Sequence, residues 1–263
     1  MQITNVRYVK STSGAKLRST AAGSTVVKTL RAGDLMYDIP GVATVKKALS
    51  GTTYIWVKVI AYTIEQNSLG YNSSVSYTGW IAIENTTVVS RTSPSKSSVI
   101  STNAKLNQRK QLINARYIYN YLTNKGWRKN AILAMLGNME AESNINPGHW
   151  QNEYKDPSNG YGLVQWTPST KYTNWLGSTD ESKMCDIDKQ LNRIIHESEK
   201  NLQWIKGKYS PEMRFSEFPT STKSRDELTI YFFKCYENNG KNEDSARKSN
   251  AAKWDMLIGY LTD

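Results

Sequence analysis

The residues whose types and spacing could do chemistry are concentrated between positions 137 and 166. A helix-patterned run there ends at Glu142, a polar stretch carries Glu153 and Asp156, and a Gly-Tyr-Gly-Leu-Val-Gln-Trp segment follows. Cleavage between two sugars uses a protonated carboxyl group and a second carboxylate, beside groups that hold the sugar rings. The segment therefore predicts a cleft in which a glycosidic bond is cleaved.

Two glutamates near the end of the predicted helix compete for the role of the acid. Glu140 and Glu142 are two positions apart, which is roughly 160° around a helix axis, so at most one of them faces a given cleft. Both flank the apolar stripe, and the periodicity does not choose between them. A position near the negative end of the helix dipole favours the protonated form that a general acid needs.

From about residue 108 onward, apolar residues recur with the period of amphipathic helices. This pattern predicts helices over 112–122, 129–142, 186–205, 227–236 and 246–260. The region 149–175 is punctuated by glycine and proline, and it predicts a β-hairpin or a loop. We therefore expect a mostly α domain, of the α+β type, with one small β-element.

The first 89 residues contain short β-prone runs separated by turn residues. Several such runs are typical of a small all-β barrel or sandwich. Residues 90–107 are rich in Ser, Thr and Asn, a composition that predicts a linker. The expected organisation is a β domain at 1–89, a linker at 90–107 and a helical domain at 108–263.

The net charge of +11 is concentrated in the first part of the chain. Residues 1–90 hold nine basic residues against four acidic ones, residues 91–110 hold five against none, and residues 111–263 hold twenty against nineteen. Such an excess attracts polyanions, namely nucleic acid, anionic membranes or phosphate-rich wall polymers. A solvated basic surface without a specific partner is an equal alternative.

The cysteine and histidine content predicts neither a metal site nor another cofactor. Cys185 and Cys235 lack the spacing of metal ligands and are expected to be two separate buried thiols. His149 and His196 lie far apart in the chain, and His149 is expected at the surface.

No apolar run approaches the length of a membrane span, and the N-terminus lacks the apolar segment of a signal peptide. We expect a monomer without membrane insertion.

Two stretches of the chain resemble known families. The run GNMEAESNINPGHWQ, followed by GYGLVQWTP, resembles the phage tail-lysozyme family and, more distantly, goose-type lysozymes. The similarity continues at Tyr236-Glu237, Arg247 and Trp254, and it covers most of 110–260. The runs LRST, TLRAGD, YIWVKV and GWIAI make residues 1–89 similar to bacterial SH3-like domains.

The resemblance to these lysozymes implies roles for individual residues. It assigns the general acid to Glu142, which a serine follows, rather than to Glu140. The goose-type pattern assigns the water-activating base to Asp156, with Glu153 as the runner-up. An ordinary turn that begins at Asp156 and Pro157 is the alternative for Asp156. Substrate-binding side chains are expected at Gln165, Tyr161, Trp150, Trp166 and Tyr236. Core packing is an equal alternative for Trp166, and hydrogen bonding to the backbone is the alternative for Gln165.

The resemblance implies a phage lysin with a lysozyme-like domain and an SH3-like barrel that holds the bacterial wall. The expected reaction is cleavage of the β-1,4 bond between N-acetylmuramic acid and N-acetylglucosamine in peptidoglycan. Peptidoglycan and anionic wall polymers are the expected partners, and nucleic acid is not. Such a lysin acts at the cell wall, after holin-mediated release from the host cytoplasm or as part of the virion. Two alternatives are lytic transglycosylation of the same bond and a non-catalytic wall-binding tail protein.

Overall fold

The computed structural model describes residues 4–66, 72–205, 213–237 and 244–262. The chain folds into two compact units, each built from more than one stretch of sequence. Unit 1 comprises Met1–Thr92, Asn107–Arg109 and Asp255–Asp263. Unit 2 comprises Ser93–Leu106 and Lys110–Trp254.

Unit 1 is built on one antiparallel sheet. Its strands are β1 (Val6–Val9), β2 (Ala15–Arg18), β3 (Val26–Leu30), β4 (Leu35–Asp38), β5 (Val45–Leu49), β6 (Thr52–Gln66), β7 (Asn72–Ala82) and β8 (Thr86–Val88). They are hydrogen-bonded in the order β3-β2-β7-β6-β4-β1-β8, and β5 pairs with β6. The antiparallel β-structure expected of the N-terminal part of the chain is therefore confirmed.

The expected SH3-like barrel is not seen in this sheet. Closure requires a pairing between the two end strands, whereas β3 pairs with β2 and β8 pairs with β1. Among the described strands no ladder joins β3 to β8, so the sheet is open. Its core is formed by alternating side chains from the middle strands, including Leu17, Val57, Val59 and Ile81.

Unit 1 also contains residues from distant parts of the chain. The buried Gln108 side chain donates hydrogen bonds to the Asp34 carboxylate at 3.1 Å and to the Tyr62 carbonyl at 2.9 Å. The ring of Tyr260 packs against that of Tyr37 with 4.9 Å between centroids. Cutting the chain at residue 89 or 107 would therefore remove buried contacts of unit 1.

Unit 2 consists of helices joined by loops. The α-helices among the described residues are α1 (Gln108–Asn124), α2 (Lys129–Ser143), α3 (Thr170–Leu176), α4 (Glu181–Met184), α5 (Ile187–Glu199), α6 (Arg225–Tyr231) and α7 (Asp244–Thr262). A π-helical turn, Phe232–Tyr236, continues α6. The mostly helical character expected of this half of the chain is confirmed.

The predicted helix over 186–205 is too long, because α5 ends at Glu199. The next residues leave the helical conformation, since Asn201 and Gln203 both have positive φ angles, of 53° and 54°. The region 149–175 forms a loop and then α3. A hairpin or a loop was predicted there, and the loop contains only two isolated antiparallel bridges, Trp150 with Tyr161 and Tyr161 with Trp166.

Residues 93–106, for which composition predicts a linker, are hydrogen-bonded within unit 2. The side-chain amide of Asn146 donates to the carbonyl groups of Thr102 and Ala104 at 2.6 and 2.7 Å. The amide of Asn114 donates to the carbonyl group of Ile100 at 2.7 Å. This segment therefore belongs structurally to the helical unit.

Helices α2 and α7 approach closely at Gly137. A Cβ atom built on Gly137 would lie 2.7 Å from the Ala251 Cβ and 2.7 Å from the Arg247 carbonyl oxygen. Both distances are shorter than real Cβ contacts, so glycine permits the two helix backbones to come together. Arg247 is thereby held beside the last turns of α2.

We expect Gly137→Ala to destabilise unit 2 by about 1–3 kcal/mol, because the added methyl group overpacks this crossing. Gly259→Ala is the matched control, since a Cβ at Gly259 meets nothing within 4 Å. That control should be neutral or stabilising by about 0.4–1 kcal/mol. Urea unfolding followed by far-UV circular dichroism measures both changes, and an equal response of the two variants would contradict the close crossing.

Candidate active site

A polar cleft of about 390 Å³ opens on unit 2. It is formed by the end of α2, the loop after residue 150, the start of α3, the loop after α5 and the end of the π-helical turn. Its lining residues are Glu142, Gln151, Val164, Gln165, Trp166, Thr167, Lys171, Gln203, Ile205, Tyr236 and Glu237.

Glu142 reaches this cleft from the last turn of α2. The helix ends because Asn144 adopts the left-handed conformation at φ 55°, where its N–H caps the Glu140 carbonyl. The Ser143 hydroxyl donates to the Leu163 carbonyl at 2.9 Å, which joins the helix end to the loop of the cleft. The Glu142 side chain is 20% exposed, so its carboxylate is open to a ligand.

The Glu142 carboxylate is held by a buried arginine from α7. Arg247 Nη2 donates to Glu142 Oε1 at 2.6 Å, and Nη1 donates to Asn138 Oδ1 at 3.0 Å. The guanidinium also lies over the Phe233 ring, 4.1 Å from its centroid. One carboxylate oxygen is thus fixed, whereas Oε2 has no hydrogen bond to any described residue.

Glu140, two positions earlier, lies in the interior of unit 2. It is 4% exposed and forms an ion pair with Lys253, which is fully buried. Lys253 also lies over the Trp254 ring, 4.4 Å from its centroid. Glu140 does not line the cleft, because its carboxylate is paired with Lys253 in the interior of unit 2.

A second buried carboxylate lies beneath the cleft. Glu197 is fully buried and accepts hydrogen bonds from Trp166 Nε1 at 3.1 Å, from the Tyr236 hydroxyl and from Arg193 Nε at 2.8 Å. Burial raises the pKa of Glu197, and the three donors act in the opposite direction. Burial also raises the pKa of Tyr236 well above its usual value, so its hydroxyl stays a donor. The network fixes two of the side chains that line the cleft.

Gln165 is held in an unusual backbone conformation at the cleft. Its φ angle is 50°, and its side-chain Nε2 donates to the carbonyl groups of His149 at 3.1 Å and Gly162 at 3.0 Å. Both amide protons are therefore used to hold the loop, and the amide oxygen is the polar group left for a ligand.

Comparison with known proteins identifies the helical part of the chain. The family model for phage tail lysozyme matches residues 113–257, which is more than half of the chain. The chain belongs to the phage tail lysozyme family. A similar protein is Morphogenesis protein 1 of Bacillus phage B103, 46% identical over 155 residues, which is 59% of this chain and 41% of that protein. The chain therefore spans less than half the length of this relative.

Four of the predicted site residues of this tail-lysozyme chain meet in the cleft, namely Glu142, Gln165, Trp166 and Tyr236. Trp166 is only 1% exposed, and its ring stacks on Tyr172 with 4.7 Å between centroids. It therefore packs in the core and also contributes to the floor of the cleft. Tyr236 has the same double position, because its hydroxyl is bonded to Glu197.

Trp150 and Tyr161, expected at sugar subsites, do not line the cleft. Trp150 is 7% exposed and Tyr161 is 1% exposed, and their ring centroids are 4.7 Å apart. The antiparallel bridge between these two residues turns both rings into the core, where Tyr161 also faces Tyr172. Their contribution is to support the loop of the tail-lysozyme domain.

Asp156 and Glu153, expected as the base and its runner-up, also lie outside the cleft lining. Asp156 Oδ1 accepts from the Ser158 hydroxyl at 2.6 Å and its N–H at 2.7 Å. These hydrogen bonds lower the pKa of Asp156 and define an Asx-type turn. Glu153 is exposed, and its carbonyl group accepts from the Asn103 amide.

The expectation that His149 is at the surface was wrong. It is 7% exposed, because its carbonyl group accepts from both Gln165 and the Gly162 N–H and so holds this residue inside the loop. Burial lowers the pKa of His149. Cys185 and Cys235 are separate and not joined by a disulfide, as expected, but only Cys235 of the two is buried and Cys185 is partly exposed.

Several residues of the site were not found from the sequence. Gln151, Thr167, Lys171, Gln203, Ile205 and Glu237 line the cleft, whereas Arg247 and Glu197 support it. Glu237 follows Tyr236, which was predicted, so its position in the family motif was an available signal. Arg247 lies 105 positions from Glu142. The resemblance to the lysozyme family includes Arg247, but it did not indicate that this side chain pairs with Glu142.

Neither a metal site nor a membrane span is found in the part of the chain that the structure describes. The described His, Cys, Asp and Glu residues form no group of three or more that fits a metal ion. No described helix is both long enough and apolar enough to cross a bilayer.

We expect Glu197→Ala to destabilise unit 2 by about 3–5 kcal/mol, because it leaves Arg193 and two other buried donors without their acceptor. Glu181→Ala is the matched control, since Glu181 forms an ion pair with Lys155 in which both side chains are more than half exposed. Exposed pairs contribute about 0–1 kcal/mol. Urea unfolding followed by circular dichroism separates the two, and a Glu197 variant as stable as the control would refute the anchoring role.

Proposed function

We propose that this chain cleaves the β-1,4 glycosidic bond between N-acetylmuramic acid and N-acetylglucosamine in bacterial peptidoglycan, with Glu142 as general acid. The single observation that carries the proposal is the position of Glu142 in an open polar cleft of a phage tail lysozyme domain. A glycosidase needs a carboxyl group that reaches the leaving oxygen of the sugar. Glu142 is partly exposed and has one oxygen available.

The lining of the cleft suits a sugar polymer. Gln151, Gln165 and Gln203, which carry side-chain amides, and Thr167, which carries a hydroxyl group, line the cleft together with Glu142. Amide and hydroxyl groups are donors and acceptors for sugar hydroxyl and N-acetyl groups. Lys171 adds a positive charge, which would attract a carboxylate of the wall peptide.

Arg247 acts here as a positioning residue. Its hydrogen bond to Glu142 Oε1 fixes the carboxyl group in one orientation, so that Oε2 is the atom presented to the substrate. The proton that Glu142 donates would therefore be carried on Oε2. Asn138 and Phe233 hold the guanidinium in turn and keep this geometry in the absence of substrate.

Lytic transglycosylation of the same bond is the enzymatic alternative. Hydrolysis requires a group that activates water, whereas in transglycosylation the muramic 6-hydroxyl attacks internally. The assignment of the base to Asp156 or Glu153 rests on the family resemblance, and neither residue lines the cleft. Asp156 and Glu153 therefore have no step in the proposed mechanism.

A structural role in the virion is the alternative from another class. The observation that favours it is the name of the relative, Morphogenesis protein 1 of a Bacillus phage. A lytic domain carried in a virion satisfies both observations, because a phage must open the wall that its tail crosses. We propose that the chain acts at the bacterial wall as part of the particle.

We expect Glu142→Gln to lower the rate of peptidoglycan cleavage by at least about 10²-fold, because the amide cannot donate the required proton. Glutamine keeps an oxygen that accepts from Arg247, so the fold should be retained. Release of reducing sugar from purified peptidoglycan gives the rate, and thermal unfolding checks the fold.

Glu140→Gln is the matched control for this experiment. It changes the same functional group on the same helix, in a buried ion pair with Lys253 rather than in the cleft. It should lower thermal stability while keeping most of the activity of the folded molecules. An inactive Glu140→Gln beside an active Glu142→Gln would contradict the assignment of the acid.

We further propose that unit 1 binds the bacterial wall, in the manner of SH3-like domains. The exposed lysines of β5, Lys46 and Lys47, and a groove of about 300 Å³ with Lys16, Arg18 and Tyr54 in its lining support this proposal. Cations beside an aromatic ring suit an anionic sugar or polyol-phosphate polymer.

Replacing Lys46 and Lys47 with glutamine in the full-length chain should lower the fraction that sediments with purified walls. Raised salt should have the same effect on the parent chain, because it screens the charges. The control replaces Lys105 and Lys200, exposed lysines of unit 2, and loses the same charge. Equal losses in both double variants would mean that only net charge matters and that unit 1 has no binding surface.

A further inference from the structure

The cleft contains a second carboxylate, Glu237, to which the sequence analysis assigned no catalytic role. Among the described residues that line it, the acidic ones are Glu142 and Glu237. We propose that Glu237 is the second catalytic residue, the base that takes a proton from the water attacking the sugar. This inference rests on the function proposed above and decides between its two reaction types.

The backbone holds Glu237 at a defined place in the cleft. Its N–H donates to the Phe232 carbonyl at 3.3 Å, at the end of the π-helical turn. The preceding residue, Tyr236, is anchored to Glu197 and stacks on Phe232 with 4.5 Å between ring centroids. The loop after α5 is joined to the same turn, because the Ile205 N–H donates to the Cys235 carbonyl at 2.8 Å.

Burial distinguishes Glu237 from an ordinary surface acid. The residue is half-buried, and Gln203, Ile205 and Tyr236 line the cleft with it. A carboxylate in such a position can accept a proton from a water held in the cleft, whereas an acid on the open surface has no bound substrate beside it. The general acid Glu142 lines the same space.

The other described acids near the site do not line the cleft. Asp156 closes a turn with Ser158, and Glu153 is exposed outside the lining. Glu197 is fully buried beneath the floor and pairs with Arg193, and Glu140 pairs with the buried Lys253. Glu237 is thus the described acid, besides Glu142, that a substrate in the cleft would meet.

The proposed step balances in protons and electrons. The water oxygen forms a bond to the anomeric carbon of N-acetylmuramic acid while that carbon's bond to the bridging oxygen breaks. Glu237 takes the proton that the water loses, and Glu142 gives its proton to the departing bridging oxygen. The products are two chains with ordinary hydroxyl ends, and a proton passes back to Glu142 through solvent before the next cycle.

The test uses full-length Glu237→Gln, with soluble glycan fragments of purified peptidoglycan as substrate. The rate kcat should fall by about 10²-fold with KM little changed, because the amide cannot accept the proton. Glu199→Gln, an exposed acid at the end of α5, should keep the parent rate and thermal stability. Full activity of Glu237→Gln would overturn the proposal.

Chemical rescue separates a base from a structural residue. In Glu237→Ala, azide needs no base to attack the anomeric carbon, so added azide should raise the rate and yield a glycosyl azide detectable by mass spectrometry. An activity loss that azide does not restore would overturn the assignment. So would a tenfold loss in Asp156→Asn beside a fully active Glu237→Gln, on the scale of general base catalysis.

Failure of this inference can be told from failure of the proposed function. If Glu142→Gln is inactive, Glu237→Gln is fully active and the products carry anhydro-muramic ends, only the base is wrong and the substrate's own hydroxyl is the nucleophile. If the parent chain releases no glycan fragments at all, the glycosidase proposal itself fails.

Discussion

The ion pair between Glu142 and Arg247 is the interaction on which the site depends. It joins α2 to α7 across 105 positions of sequence, and it is possible because Gly137 lets the two helices approach. A buried guanidinium needs partners for its donors, since an unpaired buried charge costs several kcal/mol. Glu142 and Asn138, one helical turn apart, provide them. The requirement that stabilises the helix pair therefore also orients the carboxyl group at the cleft.

The floor of the cleft likewise depends on a buried charged group that needs hydrogen-bond partners. Glu197 is fully buried, and Arg193, Trp166 and Tyr236 satisfy its carboxylate. These hydrogen bonds hold the two aromatic side chains in place without a ligand. The surfaces above them are amide, hydroxyl and carboxyl groups. A rigid floor with polar walls suits a sugar chain, which needs hydrogen bonds in fixed directions rather than an apolar pocket.

Sequence patterns predicted the helices, and they predicted the position of Glu142 at a cleft but not the buried positions of Trp150 and Tyr161. The apolar period located α2 and α7 to within a few residues, and the Glu-Ser motif pointed to Glu142. Residue type does not distinguish an aromatic platform for sugars from a buried stack, so Trp150 and Tyr161 were assigned to the cleft although the bridge between them turns both inward. The spacing of Asp156 from the Gly-Tyr-Gly segment favoured a catalytic role, whereas its carboxylate closes a local turn with Ser158. The pairing of Arg247 with Glu142 depends on the tertiary crossing of two helices, which the sequence pattern does not give.

The most direct test of the central claim is mass spectrometry of the fragments that the full chain releases from purified peptidoglycan. If Glu142 is the acid that cleaves the glycan, the released fragments are muropeptides with N-acetylmuramic acid at a new chain end and with intact peptide stems. Hydrolysis gives a reducing end, which is heavier by one water than the anhydro end left by transglycosylation. Release of peptides from intact glycan strands, or no release of fragments at all, would contradict the account.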